Sequence, residues 1–304
     1  MKIAIIGAGN VGACTASLLI SRQVCKKVAL IDINKNLATV KAIDLAQMVA
    51  ALDLDIDVVG GDDYSLIKDY DIVVITAGFA RREDQKREDL IATNAKIVAS
   101  SAINIAKWAP NSIIVVVTNP LDIMVYVALK ASKFSPLKVI GMAGELDSAR
   151  LKYEISSKLG TSSAKCFAKC VGTHNNDMIC LESSMKFEDK SIKDIFDPDE
   201  IEEIKQRTKN GGANIVKLMG TSAFYAPSAG VLKMCESIKN GDEKPLSCSV
   251  FSKFGEDEVS IGRLVKLDNN GIKEILELNL TQKEMKNFKD SIEKVIKIIS
   301  YINI

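Results

Sequence analysis

KIAIIGAGNVG, residues 2–12, runs from an apolar segment through three glycines into residues that favour a helix. Gly7, Gly9 and Gly12 match the pattern GxGxxG, which is a weak signal when it stands alone. Its context strengthens it, because it follows a strand-like run directly and because Asp32 ends a second such run about twenty residues later. The segment is therefore typical of a βαβ unit that binds a dinucleotide at the N-terminus of its helix.

Each of these four residues has an expected role in such a unit. Gly7 permits a tight turn, Gly9 allows the backbone to approach a pyrophosphate, and Gly12 allows the helix and the strand to pack closely. Asp32 accepts hydrogen bonds from both ribose hydroxyls and repels a 2′-phosphate, so the predicted cofactor is NAD rather than NADP. The alternative interpretation is a cluster of turn glycines followed by an unrelated surface aspartate.

Short β-rich runs alternate with helical stretches through the first half of the chain. Runs that are apolar at every residue suit strands covered on both faces, as in a parallel sheet flanked by helices. The repeated βαβ order predicts an α/β fold with a Rossmann-type, doubly wound parallel sheet. The expected strands are residues 2–6, 28–31, 56–59, 72–76, 113–117 and 139–141, and the expected helices are residues 10–22, 35–51, 87–108 and 120–132.

The pattern changes after about residue 143 to long helices mixed with strand-like runs. The expected helices are residues 146–159, 200–218, 227–239 and a terminal helix that opens with the capping-box spacing of Thr281 and Glu284. A β-region is expected up to about residue 185, with further strands at 246–252, 260–267 and 271–275. We predict an NAD-binding Rossmann domain over residues 1–143 and an α+β substrate-binding, catalytic domain over residues 144–304, with a cleft between them.

The composition argues against several classes of protein. Among 304 residues, Lys plus Arg total 40 and Asp plus Glu total 39, so no global field attracts nucleic acid or an anionic membrane. No segment reaches the roughly 18 apolar residues of a membrane span. The seven cysteines are too few for a disulfide scaffold and fit reduced thiols better. We expect a cytoplasmic protein with neither nucleic acid nor membrane as a partner.

One cysteine pattern has the periodicity of a metal site. Cys166, Cys170 and His174 recur every four residues, which on a helix would gather three ligands on one face. The segment is expected to be a strand running into a turn, where neighbouring pairs would be roughly 13 Å apart. That distance is too large for a shared ion, so no metal is predicted.

Polar residues follow two of the predicted sheet strands. Thr76-Ala77-Gly78 and Thr118-Asn119-Pro120 each stand at the carboxyl end of a strand, the edge where open α/β sheets bind ligands. Either motif alone fits a strand-ending turn equally well.

Three of the seven arginines, Arg81, Arg82 and Arg87, are clustered in a chain that otherwise prefers lysine. A guanidinium binds a carboxylate or a phosphate through two parallel hydrogen bonds. The cluster therefore indicates either an anion-binding loop or a solvated, charged loop, and clustering alone does not separate the two.

His174 is the only histidine and the natural candidate for a proton donor that works near neutral pH, although a lone histidine is more often structural. Asp147 and Arg150 are spaced i, i+3, which puts a carboxylate and a guanidinium side by side on a helix. Such a pair is usually a surface ion pair, but here it could orient His174 and bind a substrate carboxylate.

Together these segments resemble the lactate/malate dehydrogenase superfamily over essentially the whole chain. Arg81 and the GGANIV stretch at 211–216 are similar to malate dehydrogenases of the lactate-dehydrogenase-like branch, whereas lactate dehydrogenases generally carry Gln where Arg81 stands. The segments that carry the resemblance are residues 7–12, Asp32, 75–78, the Arg81 to Arg87 spacing, 117–122, 146–150, His174 after Gly172, and 222–227.

The resemblance implies a reaction and a role for each catalytic residue. His174 would donate a proton to the carbonyl oxygen of oxaloacetate as NADH delivers hydride, and would recover it when malate is oxidised. Asp147 would hold the imidazole in one tautomer and stabilise its cationic form. Arg150 would bind the carboxylate next to the reacting carbon.

The resemblance also implies the remaining contacts. Arg87 and Asn119 would polarise the carbonyl, Arg81 would pair with the second carboxylate of the dicarboxylate, and residues 79–88 would form a lid that excludes water. A homodimer or homotetramer is implied as well. The implied cofactor contacts are Gly7, Ala8, Gly9, Asn10, Val11, Gly12, Asp32, Thr76, Ala77, Gly78, Asn94, Val117, Thr118 and Asn119.

The chain departs from the family pattern at three places. Glu83-Asp84-Gln85 stands where the malate branch usually has Pro-Gly-Met, Asn175-Asn176 replaces Gly-Asp after the histidine, and Cys180 replaces a proline. Two alternatives therefore stay open, a lactate-type 2-hydroxy acid dehydrogenase and a catalytically silent dinucleotide-binding protein. Arg81 argues against the first because a buried guanidinium without its carboxylate costs several kcal/mol. The intact His174 and its predicted partners argue against the second.

Overall fold

The computed structural model describes residues 1–79 and 87–302. The strands are β1 Lys2–Ile6, β2 Lys27–Ile31, β3 Asp57–Gly61, β4 Ile72–Ile75, β5 Ile113–Val116, β6 Val139–Met142, β7 Cys166–Phe167, β8 Cys170–Val171, β9 Ile179–Cys180, β10 Lys186–Phe187, β11 Lys190–Ser191, β12 Leu246–Phe254, β13 Asp257–Asp268 and β14 Gly271–Ile275. The helices are α1 Asn10–Ser21, α2 Lys35–Ala51, α3 Arg87–Trp108, α4 Leu121–Ser132, α5 Gly144–Leu159, α6 Pro198–Met219, α7 Tyr225–Asn240 and α8 Gln282–Ile299.

A nine-stranded sheet forms the centre of the molecule, in the order β14-β13-β12-β6-β5-β4-β1-β2-β3. The six strands from β6 to β3 run parallel, as the sequence predicted. Strand β5 is buried at every residue, which explains its uninterrupted apolar sequence. Most predicted ends agree within a residue or two. Strand β3 extends to Gly61, because Gly60 and Gly61 pair with the end of β2.

The sheet continues into the second half of the chain. Strand β12 pairs antiparallel with β6, and β13 and β14 extend the sheet beyond it. Short two-residue strands form two smaller sheets, the three-stranded arrangement β11-β10-β7 and the hairpin of β8 and β9. Gly172, which follows β8, ties this hairpin to Gly262 of β13 through two backbone hydrogen bonds. A separate small core, which includes Leu151 and Ile155 of α5 with Cys170 and Cys180, packs beneath that hairpin. The α+β character predicted for this half is confirmed, although three of its strands extend the first sheet.

The glycine-rich turn connects β1 to α1 through a close backbone contact. Gly7 has φ +106°, a value that side chains with a Cβ rarely adopt. A Cβ on Gly12 would lie 1.9 Å from the carbonyl oxygen of Gly7, so helix and turn touch without any room for a methyl group. Gly9 has nothing within 4 Å of an added Cβ. The predicted need for glycine at positions 7 and 12 is confirmed, although the closest neighbour of Gly12 is the turn residue Gly7 and not a strand residue.

No helix within the described ranges has the length and apolar character needed to cross a bilayer.

We expect Gly12→Ala to destabilise the ligand-free protein by at least about 2 kcal/mol, because the added methyl would overlap a backbone oxygen that cannot rotate away. Gly9→Ala is the matched control. Gly9 has φ −68° and ψ −166°, an extended conformation that alanine also adopts. The loss in free energy of unfolding should therefore be about 1 kcal/mol or less. Urea-induced unfolding measures both values. Equal stability of the two variants would show that the turn relaxes around Gly12.

Candidate active site

The carboxyl ends of β1, β4 and β5 meet at one edge of the sheet, and two threonines brace the turns there. The Thr76 hydroxyl donates to the carbonyl oxygens of Ile6 (3.1 Å) and Gly7 (3.0 Å). The Thr118 hydroxyl donates to the carbonyl oxygen of Ala77 over 2.7 Å. The side chains of these two threonines therefore fix the conformation of the turns at the ends of β1 and β4.

Asn94 on α3 links two of these strand ends. Its side-chain amide donates to the carbonyl oxygens of Asn119 (2.7 Å) and Phe79 (3.1 Å), and its Oδ1 accepts from the Phe79 N–H over 2.9 Å. Asn94 is fully buried. It positions the loop that carries Asn119, a role that the sequence alone did not indicate.

Asp32 lies beside the glycine-rich turn at the end of β2. One carboxylate oxygen accepts from the Ala8 N–H over 2.7 Å, and the other accepts from the Asn34 N–H over 2.9 Å. The Lys41 ammonium donates to the Ala8 carbonyl oxygen over 2.8 Å. The acid thus has the location expected of a ribose-binding carboxylate. Sequence reasoning missed the cation of Lys41, since nothing in its pattern sets it apart from other helical lysines.

His174 follows β8 and is held at its ring and at its backbone. Its Nδ1 lies 2.8 Å from Oδ2 of Asp147, so the ring N–H donates to the carboxylate and Nε2 is left available to a substrate. Oδ1 of the same carboxylate lies 3.3 Å from Nη1 of Arg150. The side chain of Asp147 is 3% exposed. The structure therefore brings together the three residues that the sequence singled out.

The charges around His174 favour its protonated form. Burial alone lowers the pKa of the imidazole, but the charge and the hydrogen bond of Asp147 outweigh it, and Asp122 adds to their effect. Arg150 opposes them. The net result is a raised pKa for His174, which suits a group that must hold a proton near neutral pH.

Asp122 and Ser249 form a second support that sequence reasoning missed. Oδ2 of Asp122 accepts from the backbone N–H of His174 over 2.8 Å, and Oδ1 accepts from the Ser249 hydroxyl over 2.7 Å. Burial raises the pKa of the Asp122 carboxyl. The available signal was an acidic residue within the otherwise apolar start of α4, but its partners come from distant parts of the chain.

A cavity of about 250 Å³ opens beside these residues, lined from both halves of the chain. Arg150 lies against Gly212 of α6, where an added Cβ would be 3.2 Å from Nη2, so the glycine leaves room for the guanidinium. The lining residues are Val11, Val117, Asn119, Met142, Leu146, Arg150, His174, Gly212, Val216, Ser222, Ala223 and Pro227.

Several predicted positions lie outside the described residues. Arg81, Arg82 and the sequence Glu83-Asp84-Gln85 fall there, and Arg87 is described only as the first residue of α3. Elsewhere in the described chain, no group of three or more His, Cys, Asp or Glu side chains is arranged to hold a metal ion.

Comparison with known families gives two matches. The model of the lactate/malate dehydrogenase NAD-binding domain matches residues 1–141. The model of the lactate/malate dehydrogenase alpha/beta C-terminal domain matches residues 144–303.

Full-length relatives and solved structures agree with these matches. A malate dehydrogenase from Nitratiruptor is 41% identical over 99% of this chain and 96% of its own. The malate dehydrogenase structure from Aeropyrum pernix has a TM-score of 0.95 at 34% identity, covering 99% of this chain and 98% of that one. A lactate dehydrogenase from Cryptosporidium parvum, solved with lactic acid and nicotinamide adenine dinucleotide, has a TM-score of 0.93 at 31% identity, covering 98% and 96%. Since both family models and full-length relatives match, the chain belongs to the lactate/malate dehydrogenase family.

Proposed function

We propose that this chain is an NAD-dependent malate dehydrogenase, which interconverts malate and oxaloacetate with NAD⁺ and NADH. The observation that carries the proposal is the buried Asp147 carboxylate, which contacts both His174 and Arg150 at one cavity. A proton donor and a carboxylate-binding cation thereby stand side by side. The many full-length relatives named malate dehydrogenase support the dicarboxylate as substrate.

The residues around the glycine-rich turn fit NAD. Gly9 leaves open space where a pyrophosphate needs it, no side chain caps the N-terminus of α1 at Gly9, and Asp32 stands next to Ala8. When bound, the reduced cofactor supplies the hydride that reduces the carbonyl carbon. The remaining cofactor contacts that we propose follow the strand ends at Thr76 and Thr118.

His174 handles the proton of the reaction. In the direction of malate formation, protonated Nε2 donates to the carbonyl oxygen as that oxygen gains negative charge. Asp147 keeps Nδ1 protonated and stabilises the imidazolium beforehand. In the reverse direction, neutral Nε2 removes the proton of the malate hydroxyl. Asp122 fixes the backbone of His174 during both steps.

The substrate is held by charges on both of its ends. Arg150 binds the carboxylate beside the reacting carbon, while Asn119 and Arg87 polarise the carbonyl. Arg81 pairs with the second carboxylate. Pyruvate lacks that carboxylate and would leave a desolvated guanidinium without a partner, which favours malate over lactate as the hydroxy acid.

We further propose a division after residue 143, a homodimer or homotetramer, and a cytoplasmic location. The ranges of the two family matches support the division. Exposed apolar side chains on one face of α2, Val40 and Ile43 at 58% and 52% exposure, support contact with a second copy. All seven cysteines are free thiols, as a reducing compartment requires.

NADH should be preferred over NADPH by about 100-fold or more in kcat/KM, because the Asp32 carboxylate repels a 2′-phosphate. Asp32→Ser should reduce this preference at least about tenfold. Asp62→Ser is a matched control, since Asp62 follows the neighbouring strand β3 and pairs with Lys35 at the surface. Equal efficiency of the unchanged enzyme with both cofactors contradicts the assignment.

His174→Asn should lower kcat by roughly 10²–10⁴-fold while NADH still binds, because the general acid is lost. In the unchanged enzyme, kcat/KM for oxaloacetate should fall as pH rises through the raised pKa of His174, and kcat/KM for malate should rise over the same range. Asp147→Asn removes the charge that raises this pKa, so both midpoints should move to lower pH.

Asp177→Asn is the control for that shift. Asp177 lies on the same loop but pairs with the exposed Lys294, and its loss should leave the midpoints in place. If Asp147→Asn also leaves the two midpoints unchanged, the pH profile does not report the titration of His174.

Arg81→Gln should lower kcat/KM for oxaloacetate by roughly 30-fold to several thousand-fold, the cost of removing one member of a buried charge pair. Activity with pyruvate should rise or stay the same. NADH oxidation with oxaloacetate and with pyruvate measures both effects. The same assay distinguishes a malate dehydrogenase from a lactate-type dehydrogenase and from a catalytically silent dinucleotide-binding protein. If the neighbouring variant Arg82→Gln alone abolishes the preference for oxaloacetate, the discriminating arginine is Arg82.

A further inference from the structure

Two buried thiols face each other at the base of the loop that carries His174. Cys170 in β8 and Cys180 in β9 are directly paired, and their Sγ atoms are 3.7 Å apart. They are 1% and 5% exposed. The mechanism above uses neither of them.

The backbone around this pair has the register that suits a disulfide. The Leu181 N–H donates to the Lys169 carbonyl oxygen over 2.9 Å, which makes Cys170 and Cys180 a non-hydrogen-bonded pair of the antiparallel ladder. Accordingly, the Cys170 N–H donates to the Ser148 hydroxyl over 2.9 Å. Cα atoms in such pairs are about 4.5 Å apart, within the roughly 4.4–6.8 Å that a disulfide spans.

We propose that Cys170 and Cys180 are a reversible disulfide-forming pair that hydrogen peroxide oxidises, and that the cross-link displaces the His174 loop. The first part stands independently of the proposed function, and the second part rests on it.

The chemistry requires only peroxide as the oxidant. The Cys180 thiolate attacks one peroxide oxygen, the O–O bond breaks, and a sulfenic acid and water are formed after protonation. The Cys170 sulfur then attacks the sulfenic sulfur, the S–O bond breaks, and a second water leaves with the Cys170 proton. Two thiols thus lose two electrons and two protons, and one peroxide becomes two waters.

The order of these steps follows from the surroundings of the two sulfurs. Both sulfurs are buried, but Cys180 is slightly more exposed than Cys170, so we expect peroxide to react there first. The Cys170 thiol donates its hydrogen bond to the Cys180 sulfur, and this bond together with burial raises the pKa of Cys170 well above its usual value. Cys170 therefore stays protonated until the sulfenic acid forms beside it.

Closing the disulfide would strain the support of the active site. The sulfurs must approach from 3.7 Å to about 2.05 Å. They share one buried core with Leu151 and Ile155 of α5, the helix that also carries Asp147. Movement of either strand therefore changes the distance between His174 and its carboxylate, and a misplacement of about 1 Å can cost about 10²-fold in rate.

The other cysteines of the described strands lack this geometry. Cys166 in β7 stands opposite Phe187, and Cys248 in β12 stands opposite Arg263. Cys166 is as buried as Cys180 and only a few residues away. It serves as the internal control.

The pair is tested by treating the reduced full chain with hydrogen peroxide, blocking free thiols with N-ethylmaleimide in denaturant, and digesting with trypsin. Cleavage after Lys169 and Lys186 releases both thiols in one peptide, 170–186, whereas Cys166 lies in peptide 166–169. We expect peptide 170–186 to lose two hydrogens and take up no label, and to take up two labels after dithiothreitol. Three results would overturn the proposal: labelling of both thiols after peroxide treatment, oxidation of each thiol to a sulfinic or sulfonic acid without a cross-link, or a cross-link to another cysteine.

The consequence for the loop is tested on the same samples. Turnover of oxaloacetate should fall about tenfold or more in proportion to the cross-linked fraction, with NADH binding retained and activity restored by dithiothreitol. Cys166→Ser should respond like the unchanged enzyme, whereas Cys180→Ser, or Cys180→Ala if the serine variant folds poorly, should neither cross-link nor lose turnover. A cross-link with unchanged turnover would overturn the displacement. If the reduced protein has no dehydrogenase activity, the proposed function is contradicted. The peptide analysis then still decides whether Cys170 and Cys180 form a disulfide.

Discussion

A single buried carboxylate, that of Asp147, organises the candidate active site of this molecule. An isolated carboxylate in such a place would destabilise the fold, so each of its oxygens needs a polar or charged partner. His174 contacts one oxygen and Arg150 contacts the other. The same contacts fix the tautomer of the imidazole and the position of the guanidinium. The proposed proton donor and the proposed anion site are therefore not independent features, since the positions of both depend on where α5 places one side chain.

A second carboxylate completes the support from the opposite side. Asp122 holds the backbone of His174 and is itself held by Ser249. The histidine is thus fixed by one acid at its ring and by another at its main chain, from α5 and α4. Because both acids lie close to the imidazole, they also stabilise its cation. Geometry and protonation are supplied by the same two residues.

Much of this arrangement could be predicted from local patterns. The apolar runs of the parallel strands and the steric demands of Gly7 and Gly12 are properties of short segments, so the sequence contains them directly. The link between Asp147 and Arg150 follows from helical spacing. The partners of Asp122 could not be predicted in this way, because 52 residues separate it from His174 and 127 from Ser249.

The same reasoning explains the strands that extend the sheet. The runs of β12 to β14 were recognisable, but which edge they would join was not, because pairing with β6 depends on how the whole second half folds back. The structural role of Asn94 was hidden for a similar reason, since its three backbone partners belong to the loops after two different strands.

The antiparallel pairing of β6 with β12 also links the two halves of the chain mechanically. The backbone hydrogen bonds between these strands tie the nucleotide-binding half to the half that carries His174. A hinge motion that separated the two halves would have to break part of a central sheet. The glycine-rich turn that follows β1 and the His174 loop, in which Gly172 bonds to Gly262 of β13, are therefore parts of one hydrogen-bonded framework.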